Sequence, residues 1–141
     1  MVITLAQANA VVAFALEEAG RRALKPMTVV VLDAGGHVIA MQRQDGAGTL
    51  RPQVAMAKAS GALGLGVSSR RIAEMAAERP TFVASLGPIA PHGVVPAAGG
   101  VLVVDGEGHT IGAVGLSGDL SDADEACALA GIAAAGLRAQ A

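Results

Sequence analysis

Thr28-Val29-Val30-Val31-Leu32-Asp33-Ala34-Gly35-Gly36-His37-Val38-Ile39-Ala40-Met41 is the stretch that decides the fold. A β-branched run, an Asp-Ala-Gly-Gly turn and a second apolar run read as strand, tight turn and strand: a β-hairpin. The same grammar returns later. Val101 to Val104 is followed by Asp105-Gly106-Glu107-Gly108 and then by His109 to Leu116. A shift of 72 residues lays Asp33 on Asp105, Gly36 on Gly108, His37 on His109 and Ile39 on Ile111. Two such hairpins predict one antiparallel sheet.

Outward from the hairpins the pattern turns helical. Thr4-Leu5-Ala6-Gln7 has the form of a capping box, and Leu5, Ala8, Val12, Ala15 and Ala19 recur at helical spacing until Gly20 and Pro26 stop them. An Ala-rich helix is predicted from Leu50 to Leu65. Another, capped by Ser69, should run from Arg70 to Arg79 and end at Pro80. Pro80 to Pro96 reads as an irregular loop, of a length that usually carries function. Ser121 is the expected cap of a last helix, with Asp122, Asp124 and Glu125 at its positive end. Helix, hairpin, helices, hairpin, helix is an α+β order. One domain is expected to span residues 1–141.

Composition narrows the function. Ten Lys/Arg against twelve Asp/Glu give a net charge of −2, and Phe14 and Phe82 are the only aromatics. A nucleic-acid binder needs a basic excess and stacking groups, so that class is excluded. The single cysteine, Cys127, excludes an internal disulfide and a zinc ribbon. No basic segment precedes the uncharged start, and four prolines break the longest uncharged stretch, Pro80 to Val104. Neither a signal peptide nor a transmembrane helix is expected. The expectation is a soluble cytoplasmic protein.

Candidate chemistry lies where charge meets small residues. His37, Ile39, Met41, Arg43 and Asp45 share one strand face by alternation, with Ile39 and Met41 expected in a core and Arg43 and Asp45 at its rim. On the second hairpin, Gly115 and Ser117 occupy the corresponding face. A small residue beside a cation leaves room for an anionic ligand, although Arg43 and Asp45 could equally form a surface pair. Arg51 and Lys58 lie two helical turns apart and could join Arg43 in holding carboxylates. Ser117-Gly118-Asp119, before the last helix, could present N–H groups to an anion. It is not a nucleophile elbow, since Asp119 stands where a glycine should. Gly61 to Gly66 lacks both the order and the preceding strand of a dinucleotide loop. The histidines lack the spacing of zinc ligands on one helix. His92, in the Pro-rich segment, is the freest candidate for a ligand or an acid–base group.

Together, Val-Leu-Asp33-Ala-Gly-Gly-His37, Met41-Gln-Arg43-Gln-Asp45-Gly46-Ala47, Lys58-Ala59, Gly99-Gly100, Ile111-Gly112-Ala113-Val114-Gly115-Leu116-Ser117-Gly118 and Asp124-Glu125 give a pattern covering nearly the whole chain. It resembles the GlcG/HbpS family of haem-binding, or haem-degrading-domain, proteins. That domain also forms the carboxyl-terminal part of PduO-type corrinoid adenosyltransferases. The resemblance implies a profilin-like α/β/α arrangement, homo-oligomers, and haem or a related tetrapyrrole as the bound cofactor; it assigns no iron ligand, and His92 is the candidate by its position in the Pro-rich segment alone. Arg43, Asp45, Arg51, Lys58, Gly99, Gly100, Gly115, Ser117 and Gly118 are the expected ligand-binding residues. A second reading is a cofactor-independent enzyme acting on a small carboxylated metabolite. There the same cations would bind carboxylate, and His92, Asp45 or Asp119 would move the proton. A scaffold with no site is the third.

Self-association is expected on separate grounds. Apolar residues make up 52% of the chain and charged ones 16%. The Ala-rich faces of Leu5 to Ala19 and Ala123 to Leu137 look suited to a dimer or a higher even assembly.

Overall fold

The computed structural model describes residues 1–140, and its first helix, α1 (Leu5–Arg21), begins as the capping box requires. The Thr4 hydroxyl accepts the Gln7 N–H at 3.1 Å, and the Gln7 side chain accepts the Thr4 N–H at 2.9 Å. The buried stripe is Ala8, Val11, Val12, Ala15 and Ala19. Leu5, expected in that stripe, is 60% exposed, so burial starts one turn later than the spacing suggested and takes in Val11.

The hairpins are β1 (Thr28–Asp33) with β2 (Val38–Arg43), and β3 (Gly100–Val104) with β4 (Thr110–Ser117). Their turns repeat each other bond for bond. Asp33 Oδ1 accepts the N–H groups of Gly35 and His37, as Asp105 Oδ1 accepts those of Glu107 and His109, all at 2.9 Å. Gly36 and Gly108 have φ of 85° and 87°, a left-handed conformation that disfavours any side chain. The internal resemblance is thus one turn chemistry used twice.

All pairings are antiparallel, in the order β2-β1-β4-β3-β5. The two-residue β5 (Arg138–Ala139) has no strand signature and pairs only because the chain returns past β3. Met41 corrects the expectation of a core residue: β2 is an edge strand, and the side chain is 38% exposed.

Helices cover both faces. On one, α1 and α5 (Ser121–Ala134) enclose Val29, Val31, Val103, Val114 and Leu116; on the other, α2 (Arg51–Leu65) covers Val30, Leu32, Leu102 and Ala113. The layer order is the α/β/α of an α+β fold. Helices α1 and α5 pack closely on each other, since a methyl group on Gly131 of α5 would stand 2.7 Å from the Val11 carbonyl oxygen of α1, while Ala133 and Ala134 of α5 stay exposed.

The helix starts need three corrections. Helix α3 (Ser69–Glu78) includes Ser69 as a helical residue, and the Ser69 hydroxyl accepts the Gly100 N–H at 2.7 Å instead of capping. Ser121 likewise lies inside α5 and makes no cap bond. The segment from Pro80 begins as a helix, α4 (Pro80–Leu86), and continues as a 3-10 turn, Gly87–Ile89. Pro80 stops α3 and then starts α4, since a first helical position needs no N–H. No helix among the described residues is long and apolar enough to cross a membrane.

The α2 layer sits on glycine. Gly100 and Gly115 are register partners, and a methyl group on either would collide with a backbone carbonyl of α2, that of Lys58 or of Ala55. Gly64, inside α2, faces open space. Gly115→Ala should therefore destabilise by about 1–3 kcal/mol through overpacking. Gly64→Ala should stabilise by up to about 1 kcal/mol through helix propensity. Urea unfolding of both variants checks the opposite signs.

Candidate functional site

Lys58 follows from the glycine contact. With α2 drawn onto the sheet, its side chain is 3% exposed, and its ammonium donates to the Leu116 carbonyl at 2.9 Å and to Asp124 Oδ2 at 3.1 Å. The Asp124 side chain, 1% exposed, also accepts the Asp119 N–H at 3.0 Å and the Gly118 N–H at 3.4 Å. The donors before α5 that the sequence offered to an external anion are held by a carboxylate of the same chain. Gly99 completes the enclosure: a methyl group there would stand 2.8 Å from the Leu116 oxygen and 2.9 Å from Lys58 Nζ. A methyl on Gly118 would strike Met27. Lys58, Gly99, Gly100, Gly115 and Gly118, expected at a ligand, thus lie in the interior.

Removing one partner of such a pair leaves a buried charge alone. Lys58→Met should cost about 3–5 kcal/mol in urea unfolding, with the secondary structure of the surviving folded fraction unchanged by circular dichroism.

At the end of the sheet, Arg43, Thr28 and Ser117 stand in register across β2, β1 and β4. Arg51, opening α2, donates to the Ser117 hydroxyl at 3.1 Å, and Arg43 donates to the Ala47 carbonyl at 3.3 Å. Neither guanidinium has a carboxylate within 4 Å among the described residues, so the alternative of an Arg43–Asp45 pair is not realised. Each guanidinium thus makes one hydrogen bond within the chain and keeps further N–H groups without a charged partner. On β1, between Arg43 and Ser117 in the register, the Thr28 hydroxyl is buried without a hydrogen-bond partner.

Asp119 is differently placed. The Lys25 N–H at 2.9 Å and the Leu120 N–H at 2.7 Å hold its carboxyl below the usual range, and Arg51 adds to the effect. A carboxylate stabilised in this way is a weak base. Asp45 lines a shallow cavity with Leu24, Pro26, Arg43 and Gln44, whereas His92 lines another. The three proton-transfer candidates do not converge.

The His92 cavity, about 300 Å³, opens on the outer side of α2 and is lined by Met41, Pro52, Gln53, Met56 and His92. The chain from Ile89 to Val94 crosses α2 here, with Val94 packed 3.6 Å from the Gly61 position. Beyond that crossing lies an apolar groove of about 240 Å³ lined by Gly61, Leu65, Leu86, Ile89 and Val94 among others. The residues fit a haem. An imidazole could ligate iron and thioethers and proline could flank a porphyrin, while Arg43 and Arg51, outside this lining at the adjoining ends of β2 and α2, are the nearest candidates to receive carboxylates. Sequence reasoning missed Met56 and Thr28. Met56 shares a helix face with Pro52, at a spacing of four, and that was the available signal; Thr28 gave none.

No curated protein matches the sequence significantly. Solved structures do match. A PduOC:heme complex superposes with a TM-score of 0.87 at 21% identity, all of each chain being covered. A double mutant of Streptomyces reticuli HbpS gives 0.81 at 30% identity over 94% of this chain and 86% of that one. The Klebsiella pneumoniae protein ORFY gives 0.83 at 26% identity, covering 95% and 90%. The family model for HbpS-like haem-degrading proteins matches residues 3–133, and the chain belongs to that family.

Proposed function

We propose that the chain binds haem, or a related tetrapyrrole, in the cleft between β2, the outer face of α2 and the segment carrying His92. The observation that carries this reading is one cavity lined by an imidazole, two thioethers and a proline, with Arg43 and Arg51, neither paired to a carboxylate, at the adjoining ends of β2 and α2. Family membership and the haem complex of the structurally similar PduOC support the choice of ligand. When bound, haem would supply a redox-active iron; the chain's part is to grip and orient it. His92 would donate its imidazole, Met41, Met56 and Pro52 would cover apolar ring surface, and Arg43 and Arg51 would orient the acidic edge. The enzyme reading has less support, because Asp119 is already stabilised by N–H donors and Asp45 faces a different cavity.

Haemin titration tests the reading. A saturable Soret shift is expected, reduced severely in His92→Ala. Arg43→Ala should weaken binding by roughly tenfold, the worth of one charge-assisted hydrogen bond. Its melting temperature should stay within a few degrees, since a rim charge contributes about 0–1 kcal/mol to stability. No saturable shift in the wild type overturns the assignment.

The cytoplasm remains the proposed location, and self-association the proposed state. Exposed apolar side chains support the second: Val2, Leu50, Ile89 and Leu120 are 66–79% exposed. Light scattering at micromolar concentration should give a multiple of 13.8 kDa, and the monomer mass would overturn it.

A further inference from the structure

The donor set around the His92 cavity has a selectivity of its own, independent of any porphyrin. Met41, Met56 and His92 supply two thioethers and an imidazole, and the remaining lining residues, Pro52 and Gln53, are uncharged. His92 is exposed and takes part in no hydrogen bond or ion pair of the described residues, so its ring nitrogens are open to a ligand. Gly93, with φ of 79°, follows it directly. Met41 is not needed to fill the core, which already holds Met27 at 0% exposure, yet its thioether is presented on the edge strand.

Neutral soft donors disfavour hard divalent ions, which want carboxylate oxygens, and favour a soft monovalent ion content with two thioethers and an imidazole. Elsewhere among the described residues, no group of three His, Cys, Asp or Glu could hold a metal. We propose that Met41, Met56 and His92 form a Cu(I) site. Three neutral ligands leave a single positive charge at the mouth of an open cavity, where water can solvate it. Cys127 is the competing soft donor, but it is fully buried, and burial pushes its thiol up from its ordinary range.

The test uses the apo protein with Ag(I), a redox-inert stand-in, and Cu(I) delivered under competition from a chromophoric chelator. One equivalent of Ag(I) should shift the methyl resonances of Met41 and Met56 and the ring resonances of His92, leaving that of Met27 in place. Met41→Leu and Met56→Leu, which keep apolar volume, should each weaken Cu(I) binding at least tenfold while preserving the circular dichroism spectrum. Cys127→Ala should leave the affinity unchanged. Absence of a site that competes with the chelator would overturn the proposal. So would a site that survives both leucine variants, or one lost in Cys127→Ala. The haemin titration is a separate measurement, so either reading can fail while the other stands.

Discussion

The contact between the backbone of α2 and two glycines of the sheet governs the rest of this molecule. Gly100 and Gly115 lie side by side on β3 and β4, and α2 passes over them at Lys58 and Ala55, three residues apart and therefore on one helix face. The approach leaves no room for side chains between the layers, so alanines such as Ala55, Ala59 and Ala62 complete the packing. Composition and architecture are linked here: a chain with 31 alanines, 19 glycines and two aromatics packs by close approach instead of by bulk. The same device recurs between α1 and α5 at Gly131.

Close approach has an electrostatic consequence. It buries the Lys58 ammonium, whose isolation would cost several kcal/mol, so a partner must come from elsewhere in the chain. Asp124 supplies it from the first turn of α5, and the same carboxylate satisfies N–H groups of Gly118 and Asp119 at the end of β4. One ion pair thus joins α2, β4 and α5 and fixes how the layers on opposite faces of the sheet are set. An anion-binding turn that would otherwise take an outside ligand is closed by the fold. The proposed binding falls instead to the outer face of α2 and the rim.

How much of this was legible follows from how local each cause is. The hairpins were legible because Asp, Gly and His at fixed offsets specify a turn within five residues, and the two turns are superimposable in their bonds. The capping box at Thr4 is equally local. Lys58 was not, because a lysine in an Ala-rich helix has the same sequence appearance whether it faces water or Asp124, sixty-six residues away. Ser69 and Ser121 have cap chemistry, yet both lie inside their helices, and the Ser69 hydroxyl serves Gly100 on another element. Pro80 was read as a terminator because the start of α4 occupies the same residue. At the candidate site, His92, Arg43 and Arg51 were legible as polar candidates, but that neither arginine pairs with a carboxylate was not. Thr28 was hidden by a β-branched side chain that reads as strand, and Met56 by an apolar one that reads as core.

The rim cations and soft donors are also arranged in a way that gives the cleft a direction. On β2, Met41 and Arg43 lie two residues apart and so share a face, about 6–7 Å from one to the other at strand rise. On α2, Arg51 precedes Met56 by five residues, about 7–8 Å at helix rise. The connection from Gln44 to Leu50 joins the two elements at their cationic ends, so Arg43 and Arg51 stand near that connection and Met41 and Met56 stand further from it along β2 and α2. The proposed ligand, with an apolar body and an acidic edge, would match that polarity in one orientation only. A bare soft metal ion would have no use for the cations and would engage only the thioethers and the His92 imidazole. The two proposed recognitions thus share Met41, Met56 and His92 and differ in their use of the cations, and the edge position of β2 leaves Met41 open to solvent.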